Sequence, residues 1–184
     1  MGDYLLSNLV DFYQYVQSRK DKRVVNWPLT QSPFPTLAIV GLYCLFLVLG
    51  PRVMVKRKPL VLREVLIVYN FVNVFLSLYI FVTLGVHGLF GKYSLKCQPV
   101  DYTGSVDGLG ALWGGYVYFL VKIFDLLDTV FFILRKKNDQ VTFLHVVHHM
   151  TMPINGYFCS GYTGGGHAAL APFLNSAVHV LMYF

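Results

Sequence analysis

The sequence has little charge and little cysteine. Charged residues make up 13% of its 184 residues, and Glu64 is its single glutamate. A soluble domain usually carries about 25% charged residues, so this shortage argues against a soluble globular domain. A hydrophobic content of 55% argues equally against a disordered chain. The three cysteines, Cys44, Cys97 and Cys159, are too few and too scattered for a disulfide framework or a cysteine-rich zinc site. Cys97 falls in a predicted loop, where it could pair with a cysteine outside this sequence.

Long apolar stretches fill most of the sequence, and its mean hydropathy is +0.54. A helix needs about 20 mostly apolar residues to cross a bilayer. The sequence therefore predicts an all-α polytopic membrane protein, with an N-terminal segment over 1–33 and a transmembrane domain over 34–184. Five apolar segments are expected to cross the bilayer, near 35–50, 65–85, 111–134, 141–159 and 168–184.

The N-terminal segment has apolar side chains at steps of three and four residues. This spacing is typical of an amphipathic helix that lies on the bilayer surface. The residues concerned are Leu5, Leu6, Leu9, Phe12, Tyr13 and Val16. Pro28 and Pro33 then indicate an interfacial turn before the first apolar segment.

Basic residues cluster in two loops between the apolar segments. Loop 51–64 holds five of them, and loop 135–140 holds three more. By the positive-inside rule both loops face the cytosol, which places loop 86–110 and the N-terminus in the lumen. The net charge is +6, but this distribution is that of a membrane protein and not of a nucleic-acid-binding protein.

The third apolar segment holds Lys122, Asp125 and Asp128 at three-residue steps, within about 120° of one helix face. Each charge costs about 2.5–3.5 kcal/mol to insert into a membrane. We interpret the three side chains as the lining of a polar cavity. The alternative is an ion pair between Lys122 and Asp125 that makes insertion tolerable.

The fourth segment opens with His145, His148 and His149, which lie within about 100° of one helix face. A neutral imidazole can act as a general base, a nucleophile or a metal ligand. Three histidines on one intramembrane face indicate chemistry rather than structure. Pro153 removes the hydrogen bond to the carbonyl of His149, so the helix is expected to be distorted there.

The fifth segment places Asn175, His179 and Tyr183 on one face. Hydrogen bonding between helices would explain the asparagine and one histidine. Because three successive segments each carry a polar stripe, we expect the stripes to face one chamber that opens to the cytosol. The basic loops would then attract an anionic, phosphate-bearing substrate.

Three motifs now carry a resemblance to a known family. The stretch from Lys122 to Lys137 resembles the K-x-x-E-x-x-D-T motif of the very-long-chain fatty acid elongases, with Asp125 where the family usually has glutamate. Gln140 to His149 resembles their histidine box, and Leu174 to Tyr183 resembles the start of their N-x-x-x-H-x-x-M-Y motif. Tyr69-Asn70-Phe71 also fits. The resemblance runs from about residue 25 to the end of the sequence.

The resemblance implies the condensing step of fatty-acid elongation in the endoplasmic reticulum membrane. Acyl-CoA and malonyl-CoA give 3-ketoacyl-CoA, CoA and CO2, with no metal or other cofactor. The resemblance also implies a seven-helix bundle or barrel, of which five helices are present. A chain incomplete beyond Phe184, and inactive by itself, is then expected. Expected partners are the lipid bilayer and either other elongation enzymes or a second copy of the chain. The preferred acyl chain stays open.

The resemblance also implies roles for individual residues. Four histidines form the catalytic set: His145, His148, His149 and His179. Of these, His148 or His149 would be the acyl-accepting or basic imidazole, and His179 would assist by proton transfer or enolate stabilisation. The expected substrate-binding residues are Lys122, Asp125, Asp128, Asn175 and Tyr183.

Two other functions are compatible with the sequence. The first is a membrane di-iron desaturase or hydroxylase, because such enzymes also use H-x-x-H-H boxes and histidine suits iron. Those sites resemble clusters of about eight histidines, whereas this chain has six in all. The second is a non-catalytic fragment that associates with a full-length elongase.

Overall fold

The computed structural model describes residues 2–94 and 96–184, and this part of the chain contains seven α-helices and no β-strand. The helices are α1 (Gly2–Ser18), α2 (Pro33–Met54), α3 (Arg63–Leu84), α4 (Val106–Phe124), α5 (Leu126–Leu134), α6 (Phe143–Tyr162) and α7 (Leu170–Tyr183). A π-helical turn, Gly85–Leu89, extends α3, and short 3-10 turns precede α6 and α7. The all-helical fold class is thus confirmed.

Hydroxyl side chains begin three of the helices. The Oγ atoms of Ser32 and Ser105 accept hydrogen bonds from the backbone of α2 and α4, and the Thr142 hydroxyl accepts one from the amide of His145. Each satisfies an amide that has no partner within its helix. The Thr142 cap fixes where α6 starts, and therefore where its three histidines lie.

Two helices are long and apolar enough to cross a membrane. The most apolar 18-residue stretch has a mean hydropathy of 2.0 in Pro33–Met54 and 2.2 in Arg63–Leu89. Only 22% of each stretch is buried against protein, whereas a core helix of a soluble protein would be mostly buried. These are the described helices that pass this test, so the count of five membrane-crossing segments stays a prediction, although all five predicted segments are helical.

Helix α4 lies at the centre of the fold. It packs against α3 on one side and α6 on the other, and α7 packs against α3. Phe119 on α4 is fully buried, and Gly156 on α6 lies against it so closely that a Cβ atom there would be 3.1 Å from the phenyl ring. A small residue at this point lets the two helix backbones approach.

The residues after α1 pack on the loop that follows α3. The Lys20 ammonium donates to the carbonyl of Thr30 (2.7 Å) and to the hydroxyl of Tyr157 (3.0 Å). The Arg23 guanidinium donates to the carbonyl of Asp101 (2.7 Å). The N-terminal segment and loop 86–110 therefore lie at one end of the helices.

The two basic loops meet at the opposite end. The amide of Leu60 donates to the carbonyl of Leu134 (3.0 Å), and the ammonium of Lys136 donates to the carbonyl of Val55 (3.3 Å). The predicted pairing of loops 51–64 and 135–140 on one side is consistent with this contact. Which side faces the cytosol stays a prediction.

Helix α1 is confirmed as a helix, and its large apolar side chains are exposed, among them Leu6, Leu9 and Phe12. The side chain of Leu5, which belongs to the same predicted stripe, lies outside the described residues. The ring of Tyr13 lies 5.9 Å from that of Phe34 at the start of α2. A position on the bilayer surface stays a prediction.

Candidate active site

A buried ion pair lies at the end of α4. The ammonium of Lys122 is 2.7 Å from Oδ2 of Asp125, and the two side chains are 3% and 1% exposed. His179 on α7 completes the group, because both of its ring nitrogens are 3.3 Å from the ammonium and Nδ1 is 3.6 Å from Oδ2 of Asp125. Two predicted stripes, on the third and fifth apolar segments, thus face each other.

The helix is interrupted at Asp125. The segment predicted as one stretch over 111–134 consists of α4 and α5, and Asp125 lies between them. The amide of Asp128 bonds to the carbonyl of Asp125 at 3.1 Å, three residues back, so the turn is tighter than an α-helical one. The three charged residues therefore do not form one stripe of a straight helix, which corrects the sequence-based picture.

Asp128 has a partner of its own. The hydroxyl of Tyr183 on α7 donates to its Oδ2 at 2.5 Å. The ring of Tyr69 on α3 packs against Tyr183 with centroids 6.0 Å apart, and the Tyr69 hydroxyl is buried without a hydrogen-bond partner among the described residues. Oδ1 of Asp125 is likewise buried without a hydrogen-bond partner among the described residues. One polar atom without a protein partner among the described residues therefore belongs to Tyr69, beside Tyr183, and the other belongs to the Asp125 carboxylate itself.

The three histidines of α6 lie side by side. The rings of His145 and His149 have centroids 4.2 Å apart, and those of His148 and His149 are 5.6 Å apart. His149 is buried, while the other two are half-buried. The expected distortion at Pro153 does not interrupt α6, which is helical throughout Phe143–Tyr162.

Asn175 is connected to the ion pair through Tyr118. Its side-chain oxygen accepts a hydrogen bond from the hydroxyl of Tyr118 at 3.0 Å, and the Lys122 ammonium lies 4.9 Å from the centre of the Tyr118 ring. This is a cation–π contact with a ring whose hydroxyl is fixed. Asn175 therefore holds a neighbour of Lys122 rather than Lys122 itself.

A cavity of about 300 Å³ reaches this region from the end that carries the basic loops. Its lining combines a carboxylate, two imidazoles, a phenol and a guanidinium with apolar side chains. The polar lining residues are Asn70, Asp128, Arg135, His145, His149 and Tyr183. Lys122, Asp125, His148, His179 and Asn175 do not line it. Four of the nine predicted site residues thus line this cavity, and the other five lie outside its lining.

Sequence reasoning missed four residues of this region. Tyr69, Tyr118 and Thr129 each place a hydroxyl or a ring against a predicted site residue, and Tyr43 bonds to Thr129. Thr129 and Tyr69 stood within the quoted motifs without a role. Tyr43 and Tyr118 are two of the thirteen tyrosines of the chain, and no pattern singles them out.

Within residues 2–94 and 96–184, no group of three or more His, Cys, Asp or Glu side chains is arranged to hold a metal ion.

Comparison with known proteins gives one family. The family model described as "ELO: GNS1/SUR4 family" matches residues 28–184. The chain is 49% identical over 181 residues to very long chain fatty acid elongase 4 of Homo sapiens, which covers 97% of this chain and 57% of the human protein. It is 43% identical over 182 residues to an elongase of Aedes aegypti (97% and 51%), and 42% identical over 181 residues to elongase 7 of Rattus norvegicus (98% and 64%). The chain thus spans little more than half the length of these curated relatives.

Proposed function

Since this chain belongs to the GNS1/SUR4 (ELO) family, we propose that it carries the condensing site of fatty-acid elongation. In this proposal a long-chain acyl-CoA and malonyl-CoA give 3-ketoacyl-CoA, CoA and CO2. The reaction is an acyl transfer followed by a carbon–carbon bond formation, and no resident metal or other cofactor takes part. The activity is proposed for the full-length protein.

One observation carries the proposal. His179 on α7 contacts the buried pair of Lys122 and Asp125, and histidines of α6 lie near it. His148 and His149 are both within electrostatic reach of Lys122. A thioester placed here would meet imidazole nitrogens and a fixed ammonium together, which is what an acyl transfer through a charged intermediate needs.

The first step is transfer of the acyl group. A ring nitrogen of His148 or His149 attacks the thioester carbonyl, the carbon–sulfur bond breaks, and the CoA sulfur takes the imidazole proton. The products are an acyl-imidazole and free CoA. Cys159, the one cysteine of α4 to α7, lies about three turns beyond His148 along α6, so a thiol nucleophile is not proposed. Neutral imidazole is the nucleophilic form.

The second step joins the two carbons. Malonyl-CoA loses CO2, and the electron pair of the broken bond forms an enolate. The enolate carbon attacks the acyl-imidazole carbonyl, the carbon–nitrogen bond breaks, and the released imidazole regains a proton from solvent. Lys122 stabilises the negative charge of the enolate, and its ammonium is already held in place by Asp125 and His179.

Asp128 and Tyr183 form the wall on which the substrate lies. They line the cavity with Asn70 and Arg135, and Arg135 belongs to the basic end of the protein. Phosphate groups of CoA would bind at this end by charge attraction. The proposal places the basic loops in the cytosol, the N-terminus in the lumen, and the protein in the endoplasmic reticulum membrane. Other elongation enzymes or a second copy are proposed partners.

Two histidine variants test this function. We expect His148→Ala or His149→Ala in the full-length protein to abolish 3-ketoacyl-CoA formation, with the acyl-accepting residue also losing CoA release from acyl-CoA alone. Cys159→Ala is the matched control, because Cys159 is a half-buried residue of the same helix about three turns beyond the histidines. Normal turnover in both histidine variants would contradict the proposal.

A further inference from the structure

A chain of hydrogen bonds connects α2 to the histidines. The hydroxyl of Tyr43 lies 2.9 Å from Oγ1 of Thr129, and the same oxygen lies 2.8 Å from Nε2 of His145. Tyr43 is 5% exposed and Thr129 is fully buried. Three helices, α2, α5 and α6, each contribute one member, so the contact does not result from neighbours in sequence.

The hydrogens of this chain can be counted. Tyr43 and Thr129 each have one hydroxyl hydrogen, and the structure gives these hydroxyls no other acceptor among residues 2–94 and 96–184. If Nε2 of His145 carried a hydrogen, it would donate to Thr129. Either the Thr129 or the Tyr43 hydrogen would then be buried without an acceptor, which is unfavourable.

One arrangement uses every donor. Tyr43 donates to Thr129, Thr129 donates to His145, and Nε2 of His145 accepts. The hydrogen of the neutral ring is then on Nδ1. Successive hydroxyl donors polarise one another in the same direction, which strengthens both bonds.

We propose that Tyr43 and Thr129 are positioning residues that fix the tautomer and orientation of His145. The role in turnover depends on the proposed condensing function, but the tautomer does not. Because its Nε2 is occupied, His145 presents Nδ1–H as a donor and does not serve as the acyl acceptor through Nε2. Its ring, 4.2 Å from that of His149, instead limits how the His149 ring can turn.

The tautomer can be measured directly. Nitrogen-15 chemical shifts distinguish a bare ring nitrogen from a protonated one. In full-length protein labelled at histidine and reconstituted in bilayers, the His145 signals are assigned by their loss in His145→Asn. We expect a bare Nε2 and a protonated Nδ1. A protonated Nε2 overturns the proposal whether or not the protein condenses acyl groups.

Variants test the effect on turnover. We expect Thr129→Val to lower kcat about 10- to 100-fold and to change KM little. This is the range known for residues that orient metal-binding histidines through the second ring nitrogen. Thr129→Ser keeps the hydroxyl and should restore most of kcat. Tyr43→Phe should give a smaller loss, and adding it to Thr129→Val should give no further loss.

A matched control comes from α2, the helix that carries Tyr43. Thr36 on α2 is 1% exposed, and its hydroxyl has no hydrogen-bond partner among the described residues. Thr36→Val should leave kcat unchanged. If Thr129→Val turns over normally, or if Thr129→Ser is as impaired as Thr129→Val, the positioning role is wrong. A third outcome is possible, in which neither the wild type nor any variant condenses acyl groups but nitrogen-15 shifts show that Nε2 of His145 carries no hydrogen. The condensing function is then wrong, and the tautomer assignment stands.

Discussion

Lys122 and Asp125 form an ion pair of 2.7 Å with 3% and 1% of their side chains exposed. The pair is three residues apart in sequence and lies where α4 ends, and His179 contacts it from α7. Breaking such a pair leaves one charge buried and alone, which is more costly than losing the attraction itself.

Loss of the lysine is therefore expected to affect stability and turnover separately. Lys122→Met should lower the free energy of unfolding by about 3–5 kcal/mol and abolish condensation. Adding Asp125→Leu removes the stranded carboxylate, so stability should return while activity does not. Thermal unfolding and 3-ketoacyl-CoA formation are the two measurements.

An exposed pair provides the control for this prediction. Lys92 and Asp107 are 2.6 Å apart with 48% and 43% of their side chains exposed. Lys92→Met should change stability far less than Lys122→Met does, because exposed ion pairs contribute little, and should leave condensation unchanged. Retained condensation in Lys122→Met would mean that the ammonium has no part in the chemistry.

The hydrogen bond from the phenol of Tyr183 is expected to be needed for the role of Asp128 in turnover. Tyr183→Phe removes the donor to Oδ2 of Asp128. We expect kcat to fall roughly 10- to 100-fold, the effect of losing a hydrogen bond to a charged group in the site. Asp128→Asn in the same chain should add little, because the two residues act through one contact. Tyr79→Phe, which alters an exposed hydrogen bond with Trp113, is the control. Wild-type kcat in Tyr183→Phe would contradict this role.

The sidedness of the protein can be tested with thiol labelling. Cys97 is exposed, and the exposed Lys22 lies in the N-terminal segment at the same end. In sealed microsomes with Cys44 and Cys159 changed to alanine, an impermeant maleimide should label Cys97 only after permeabilisation. Lys22→Cys, in a chain that also carries Cys97→Ala, should behave in the same way. Lys58→Cys in that background should react at once, and the reverse pattern would overturn the orientation.

A carboxylate outside the membrane gives a pH prediction. Hydrogen bonds from the hydroxyls of Ser105 and Thr103 and from the Thr103 amide lower the pKa of Asp101 to about 2. An unfolded aspartate has a pKa of about 3.9, so this carboxylate stabilises loop 98–105 above that pH and loses its effect as pH falls towards 2.

Hydrogen exchange of the loop amides measures this effect. Exchange, corrected for its intrinsic pH dependence, should be constant from pH 7 to about pH 4 and increase below it. Asp101→Asn should abolish the increase. Equal protection of the wild-type loop at pH 5 and at pH 2 would contradict the assignment.

Helical periodicity and residue type were enough to predict much of this arrangement. The apolar segments coincide with α2 to α7, and the histidine spacing places His145, His148 and His149 together, since helix geometry fixes their separation. Contact between the polar faces of α4 and α7 also followed, because buried charges need partners.

Contacts between distant segments could not be predicted in the same way. The Tyr43–Thr129 and Asp128–Tyr183 bonds join residues 86 and 55 positions apart, and nothing in an apolar helix marks which tyrosine turns inward. The interruption at Asp125 has no proline or glycine to signal it. It depends on the packing of the two helix halves against different neighbours. Helix α4 packs against α3 and α6, whereas α5 packs mainly against α2.

The most direct test of the account is a condensation assay. Membranes with the full-length protein are incubated without oxygen, with an iron chelator, radiolabelled malonyl-CoA and a panel of acyl-CoAs. We predict label in 3-ketoacyl-CoA, with the panel identifying the preferred acyl chain. Absence of that label, together with an oxygen-dependent and chelator-sensitive change of the acyl chain in a parallel incubation, would show that the histidines serve iron chemistry and would contradict the account.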